Sequence, residues 1–168
     1  MIQEYPNFLT EIECSLLIGL GECGQLNPGK VASNRLGYRK AKVTWFDEQN
    51  ELVKKIQQRV SELSGLPKEN QEKFHFVKYG ISGEYKEHHD GSDRQKTALI
   101  YLNTGFVGGE TYFPRVDRKI IPETGKLVIW ENLKDGERDY NSNHIGLPVE
   151  FGTKYISVIW IKNVKCEK

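Results

Sequence analysis

The chain has little cysteine, no excess of either charge and no long apolar run, and each shortage closes off a class of protein. Its three cysteines, Cys14, Cys23 and Cys166, are odd in number and share no Cys-x-x-Cys spacing. They are too few for a disulfide scaffold, and the expectation is three reduced thiols. Lysine and arginine total 24 against 23 acidic residues, a formal net charge of +1. Such a balance supplies no bulk field for a polyanion and argues against a nucleic-acid partner recognised by charge alone. No apolar run approaches the roughly 18 residues that span a bilayer, which argues against a membrane partner. The opening residues, Met1-Ile2-Gln3-Glu4-Tyr5-Pro6, lack the basic stretch and apolar core of a secretory signal. A cytoplasmic protein is the expectation.

What is present suffices for a core. Hydrophobic residues make up 38% of 168, so a domain of this length can bury a core without cross-links, and one domain over 1–168 is expected. Two helices come first, forming a support over 8–66. Thr10 and Glu13 make a capping box, after which Ile12, Leu16, Leu17 and Leu20 form an apolar face that ends at Gly21 and Gly24. Asp47 is the expected cap of the second helix; Leu52, Val53, Ile56, Val60 and Leu63 give its stripe, and Gly65 with Pro67 stops it.

Aromatic residues concentrate after residue 74, in short β-branched runs. Strands are predicted at Lys73–Tyr79, Gly83–His89, Thr97–Asn103, Glu110–Phe113, Lys126–Trp130 and Lys154–Lys162, separated by Gly, Asn, Asp and Pro. Many short strands so spaced predict a mainly β core over 73–163: a sandwich, barrel or jelly roll. Two polar segments are candidate flaps over a site, Gly29–Lys42 and Gly91–Gln95.

The chemistry lies in the four histidines, His75, His88, His89 and His144. Residues two apart in a strand share a face, so His88 and Asp90 emerge together while His89 points away. His144 is the only histidine further along the chain to complete a set. Two imidazoles and one carboxylate on one face of an octahedron leave three positions open, the arrangement that lets ferrous iron take a co-substrate and oxygen together. A hydrolytic zinc can use the same ligands, but no His-Glu-x-x-His segment accompanies them. His75, between Phe74 and Phe76, reads as structural, and His89 as a residue of the outer face. Lys154 opens an apolar strand, either as a solvated lysine or as a buried ammonium paired with a substrate carboxylate.

Three blocks then carry a resemblance. Tyr79-Gly80-Ile81-Ser82-Gly83-Glu84-Tyr85-Lys86-Glu87-His88-His89-Asp90 is the first. Thr97-Ala98-Leu99-Ile100-Tyr101-Leu102-Asn103 followed by Gly108-Gly109-Glu110-Thr111-Tyr112-Phe113-Pro114 is the second. His144-Ile145-Gly146-Leu147-Pro148-Val149 with Gly152-Thr153-Lys154 and Trp160 is the third. In order and spacing these resemble the iron(II)- and 2-oxoglutarate-dependent dioxygenases, specifically their prolyl 4-hydroxylase branch. Ser82, Glu84 and Tyr155 depart from the usual Gly, Gln and Trp, and the Arg-x-Ser signature of the upstream flap is matched poorly by 29–45.

The resemblance implies a double-stranded β-helix, a jelly-roll variant with the metal at its mouth. It implies that His88, Asp90 and His144 ligate Fe(2+) and are the catalytic set, that Lys154 binds the distal carboxylate of 2-oxoglutarate, and that Tyr79 and Tyr101 line or hydrogen-bond this co-substrate. The implied reaction uses O2, releases succinate and CO2, and hydroxylates a prolyl residue of a peptide or protein, with ascorbate as reductant. Two alternatives stay open: a dioxygenase acting on another side chain or a small molecule, and a non-catalytic metal-binding jelly-roll sensor. Arg94 and Arg115 are the next cations to consider if Lys154 is not the anchor.

Overall fold

Strands dominate a computed structural model that describes residues 1–29 and 37–166. The chain runs β1 (Ile2–Tyr5), α1 (Glu11–Cys23), β2 (Asn27–Pro28), β3 (Lys42–Trp45), α2 (Glu51–Ser64), β4 (His75–Tyr79), β5 (Tyr85–His88), β6 (Arg94–Tyr101), β7 (Phe106–Gly108) and β8 (Thr111–Phe113). It continues through β9 (Arg118–Ile120), β10 (Leu127–Glu131), β11 (Leu133–Lys134), β12 (Glu137–Arg138), β13 (His144–Gly146), β14 (Val149–Gly152) and β15 (Lys154–Lys162). Seven strands form a major sheet in the order β1-β10-β6-β15-β4-β3-β2, and four form a minor sheet, β5-β13-β8-β9. All pairings are antiparallel. This is a jelly roll, one of the three architectures the strand pattern leaves open and the one the resemblance implies. The six expected strands are all present within a few residues, and β15 has the expected bounds. The shorter strands escape a reading of the sequence because two to four residues between turns carry no alternation.

Each long strand of the major sheet has two buried faces, one packed under the helices and one facing the minor sheet. Phe74 and Phe76, Ala98 and Ile100, Leu127 and Ile129, Ile159 and Ile161 pack with Leu17, Val53, Ile56 and Val60. Their alternates, Val77 and Tyr79, Leu99 and Tyr101, Val128 and Trp130, Ile156 and Val158, pack inward with Phe113, Ile120 and Val149. Period-two alternation therefore separates a supporting core from an interior that can host a site.

The helices differ from expectation in two details. The capping box of α1 is present, with Thr10 Oγ1 accepting from the Glu13 backbone N–H at 3.1 Å and Glu13 Oε2 accepting from the Thr10 N–H at 2.8 Å. Its buried face, however, is Cys14, Leu17 and Gly21, while Ile12, Leu16 and Leu20 are exposed by 73%, 54% and 39%. The smaller residues win because the helix lies close on β4: a Cβ at Gly21 would stand 2.4 Å from the Phe76 ring. Asn50, not Asp47, caps α2, its Oδ1 accepting from the Leu52 and Val53 N–H groups at 2.9 and 3.3 Å. Asp47 instead caps the preceding turn through the Gln49 N–H. Gly65 ends α2 in the left-handed conformation, as expected. Leu63 of the predicted stripe is 39% exposed. All three cysteines are free. Among the described residues no helix is long and apolar enough to cross a membrane.

The close approach of α1 gives a paired test. Gly21→Ala should lower stability by about 1–3 kcal/mol through overpacking, despite the better helix propensity of alanine. Gly19, in the same helix, has nothing within 4 Å of the place a methyl group would take, so Gly19→Ala should raise stability by about 0.5–1 kcal/mol. Urea unfolding of both variants measures the difference; equal shifts of the same sign would show that Phe76 does not set the packing distance.

Candidate active site

The ends of β5 and β13 build the site. Their antiparallel register sets His144 opposite His88, and Asp90 follows two residues after the end of β5. The three side chains offer one ligand atom each within 4.8 Å of one another. His88 Nε2 lies 3.6 Å from Asp90 Oδ1, and His144 Nε2 lies 3.8 Å from Asp90 Oδ2. Neither distance is a hydrogen bond. The opposite nitrogens are engaged: His88 Nδ1 sits 2.7 Å from the Lys86 carbonyl oxygen and His144 Nδ1 sits 2.9 Å from that of Ser142. A carbonyl can only accept, so each Nδ1 carries a proton, and in the neutral ring each Nε2 turns its lone pair toward Asp90. Two neutral imidazoles and a carboxylate around a gap fit a divalent cation, with their outer nitrogens already oriented as metal-bound histidines require.

The environment favours a neutral His88 and an ionised Asp90. Burial pushes the His88 imidazole down to about 3, assisted by the neighbouring His144. Burial alone would raise the Asp90 carboxyl, but His144, His88, the Thr97 hydroxyl and Arg94 outweigh it and hold it below its ordinary value. Behind Asp90 stands a directed relay. Asn132 Nδ2 donates to Thr97 Oγ1 at 2.9 Å, so the Thr97 proton is free to donate to Asp90 Oδ2 at 2.6 Å. Asp90 is thereby held by one oxygen. His89 points out of the cluster, its Nε2 meeting the Asn132 carbonyl oxygen at 2.9 Å.

Lys154 is the other pole of the cavity. The inward parity of β15 that buries Ile156 and Val158 also buries Lys154, which is 2% exposed. Its Nζ donates to the Gly109 carbonyl oxygen at 2.6 Å and lies 4.9 Å from the Tyr79 ring centroid and 5.6 Å from that of Tyr101. Among the described residues no carboxylate forms an ion pair with it. Burial lowers its ammonium to about 7, against a small opposing pull from Glu110. Lys154, Tyr79, His88, Asp90 and His144 all line one cavity. Tyr101 stands one layer behind, its hydroxyl 2.7 Å from the Oγ1 of Thr111, which does line it.

The two alternative cations sit elsewhere. Arg94 forks onto Glu72 at 2.7 and 2.9 Å, donates to the Asp90 carbonyl oxygen and lies 3.6 Å over the Trp160 ring. Arg115 is exposed in the turn Pro114–Val116, 5.8 Å from the Tyr140 ring. Of the segment 29–42, residues 30–36 lie outside the described residues, and Tyr38 to Lys40 run along β5, with backbone pairing between Lys40 and Glu84 and between Lys86 and Tyr38. Of 91–95, Arg94 and Gln95 belong to β6 and Asp93 is tied to Lys162 at 2.8 Å.

Several lining residues have no individual role in the sequence reading, among them Thr97, which holds Asp90, and Arg39, Tyr85, Trp130 and Trp160. The Tyr85 ring stacks on His88 and lies 4.8 Å under the Arg39 guanidinium. Trp160 lies six residues after Lys154 on β15, so strand parity finds it. Tyr85 lies three residues before His88, where parity predicts the opposite face, and an irregularity in the β5–β13 pairing lets it reach the cavity. Arg39 carries no such signal, because its place depends on a bridge to Tyr85, far along the chain.

Comparison with known proteins agrees with this geometry. Residues 74–162 match the family described as the 2OG-Fe(II) oxygenase superfamily. The chain is 32% identical over 74% of its length to prolyl 4-hydroxylase subunit alpha-1 of Bos taurus, and 34% identical over 73% to subunit alpha-2 of Gallus gallus. It spans only 26% of each of those proteins. Among solved structures, a viral collagen prolyl hydroxylase from Paramecium Bursaria Chlorella virus-1, in complex with 2OG, superposes with a TM-score of 0.80 at 28% identity, covering 98% of this chain and 96% of that one. With its jelly roll, its His-Asp-His cluster and a profile match across more than half its length, this chain belongs to the 2OG-Fe(II) oxygenase superfamily.

Proposed function

We propose that the protein is an Fe(II)- and 2-oxoglutarate-dependent prolyl hydroxylase acting on a peptide or protein, with His88, Asp90 and His144 as iron ligands. One observation carries the reading: the His-Asp-His cluster and a buried lysine with no carboxylate partner among the described residues line the same cavity. The relatives named as prolyl 4-hydroxylases support the prolyl substrate. Residues 1–168 act as one catalytic unit in which the helices of 8–66 brace the core of 73–163. Ascorbate is the reductant that returns idle iron to the ferrous state.

In this reading bound iron supplies the redox chemistry that couples 2-oxoglutarate decarboxylation, with O2, to hydroxylation of the substrate. The chain's own residues bind and orient. Nδ1–H donation to Lys86 and Ser142 fixes both imidazole rings, and the Thr97 hydroxyl restrains one Asp90 oxygen so that the other is free for the metal. Lys154 receives the distal carboxylate of 2-oxoglutarate, supplying the opposite charge that a carboxylate needs in an apolar interior. Tyr79 lies beside that ammonium, while Tyr101 holds Thr111 in the wall.

The decisive experiment incubates the protein with Fe(II), 2-oxoglutarate, ascorbate and a panel of proline-containing peptides. Succinate should form, and mass spectrometry should find one added oxygen on proline. Oxygen on another residue would replace the prolyl substrate, and absence of any 2-oxoglutarate turnover would favour a metal-binding sensor. Asp90→Ala should abolish ferrous binding together with turnover, whereas Thr97→Val should weaken metal affinity by about 10–100-fold by freeing the Asp90 carboxylate. Calorimetric titration with Mn(II) reads both without requiring activity.

Lys154 gives a pH dependence. Burial favours its neutral amine and a bound carboxylate favours its ammonium, so 2-oxoglutarate binding takes up a proton once the pH exceeds about 7. Affinity should therefore fall above pH 7, by up to about tenfold per pH unit. Lys154→Ala should weaken binding about a hundredfold, the equivalent of a charge-assisted contact of roughly 3 kcal/mol. Lys154→Arg should recover part of the affinity and lose the slope, because a guanidinium stays charged. A flat wild-type profile between roughly pH 6.5 and 9 would move the anchor to another residue.

A further inference from the structure

His75 carries the strongest unexplained feature in the molecule. It is 2% exposed, and neither ring nitrogen finds a hydrogen-bond partner. Buried polar groups are nearly always satisfied, so two orphaned nitrogens on one ring call for a ligand or a functional cause. Parity in β4 supplies the direction. Phe74 and Phe76 face the helices, whereas Val77 and Tyr79 face inward, and His75 lines the same cavity as the three iron-site residues and Lys154. Structural packing alone, the reading from its Phe74 and Phe76 neighbours, does not account for that placement.

The surroundings define what the ring can bind. The Trp160 ring centroid lies 4.5 Å away and the Trp45 centroid 6.5 Å away, with Trp45 itself 55% exposed. His75 therefore joins the buried cavity to an aromatic edge open to solvent. Burial pushes its imidazole down to about 3, and the Arg39 charge acts in the same direction. The Lys73 backbone pulls the other way, too weakly to reverse the shift and without reaching the geometry of a hydrogen bond. The ring is thus neutral and offers one donor and one acceptor. Other cavity-lining groups also lack partners: Arg39 Nε, Trp130 Nε1 and Trp160 Nε1, all of them donors. A wall so rich in unused donors fits a ligand that presents acceptors. A prolyl peptide is such a ligand, since each proline contributes a carbonyl and no N–H.

We propose that His75 is a specificity-determining residue, its ring N–H donating to a backbone carbonyl of a peptide substrate laid along the edge of Trp160 beside the iron site. The proposal rests on the reading of the protein as a hydroxylase of peptides. It does not require the hydroxylated residue to be proline, because every peptide bond supplies the acceptor. Trp45, 55% exposed, provides flat apolar surface for an extended, proline-containing chain, and Trp160, whose ring is covered by Arg94, provides its edge.

The test compares His75→Phe, which keeps a ring and removes both nitrogens, with His75→Gln, which keeps a donor and an acceptor. Kinetics are run on the best peptide of the wild-type panel, with Mn(II) and 2-oxoglutarate affinities and thermal melting measured in parallel. His75→Phe should raise the peptide KM about tenfold, the scale of one lost hydrogen bond, with metal and 2-oxoglutarate affinity unchanged. Its melting temperature should hold or rise, because an orphaned polar group has been replaced by an apolar one. His75→Gln should restore most of the peptide KM.

An unchanged peptide KM in His75→Phe overturns the proposal. So does an equal loss of peptide, metal and 2-oxoglutarate binding, which would mark a purely structural residue. If His75→Phe does not fold, His75→Gln decides alone: a rise of about tenfold in its KM despite a normal melt overturns the donor role. A wild-type preference for a peptide hydroxylated away from proline would end the prolyl reading and leave His75 to be judged on that peptide. Turnover of small molecules only, with no peptide bound, overturns both.

Discussion

Strand alternation is the constraint on which the molecule depends. Four long strands at the centre of the major sheet, β4, β6, β10 and β15, send one set of side chains under the helices and the other toward the minor sheet. The outer set is apolar at its centre, where Ser157 is the one buried polar side chain among the described residues, and carries Lys78, Lys96 and Glu131 toward its margins. The inner set mixes Leu99, Ile156 and Val158 with His75, Thr97, Trp130 and Lys154, and these line the cavity. A slip of one residue in any strand would exchange the sets, placing Lys154 against the helices and a phenylalanine in the site. Because the outer face is apolar at its centre, the same hydrophobic burial that stabilises the sheet also specifies which residues reach the metal cluster.

Low polarity around the inner set then tunes its chemistry. Desolvation acts on Lys154 and His88 in one direction, toward the uncharged forms, and on Asp90 it is overcome by neighbouring donors and imidazoles. The result is a neutral His88 imidazole, an ionised Asp90 carboxylate and a Lys154 ammonium that burial lowers to about 7. A cation at the first group and a dicarboxylate reaching the second relieve both costs, since each brings the charge that the cavity lacks. Thr97 and Asn132 complete the arrangement through a chain whose direction is set at its far end, where an amide N–H can only donate.

Much of this is legible in the sequence, and the exceptions have physical reasons. Local spacing is enough for His88 and Asp90, and the scarcity of histidine for His144; the register that sets it opposite His88 is a long-range fact. Lys154 carries two readings because a strand start is compatible with either solvent or interior, and only the parity of the assembled sheet decides. The large residues of α1 mislead because hydrophobicity alone favours Ile12, Leu16 and Leu20, while the fold needs Gly21 to let the helix approach Phe76. Asp47 and Asn50 are both good caps, and each does cap a turn, one step apart in the same entry to α2. Arg39 lies in the segment 29–42 read as a candidate flap, but its pairing with Tyr85 is illegible, since nothing local connects the two.

Unsatisfied groups tell a related story about stability and use. Five cavity-lining nitrogens, from Arg39, His75, Trp130 and Trp160, lack partners in the protein, and a core selected only for stability would have replaced or paired them. Four further buried atoms lack partners outside that lining, all of them oxygens: Oε1 of Gln71, Oδ1 of Asn132 and of Asn143, and Oγ of Ser157 on β15. Among the described residues all five unpartnered nitrogens, by contrast, belong to the lining of the one cavity beside the His-Asp-His cluster. The donors are also predominantly aromatic or guanidinium N–H groups held by their neighbours, such as Trp160 beneath Arg94, and a preorganised donor loses little entropy when an acceptor arrives. Leaving such donors unpaired costs stability that the apolar burial of the sheet offsets, and an acceptor-bearing ligand is the kind of partner that would remove the cost.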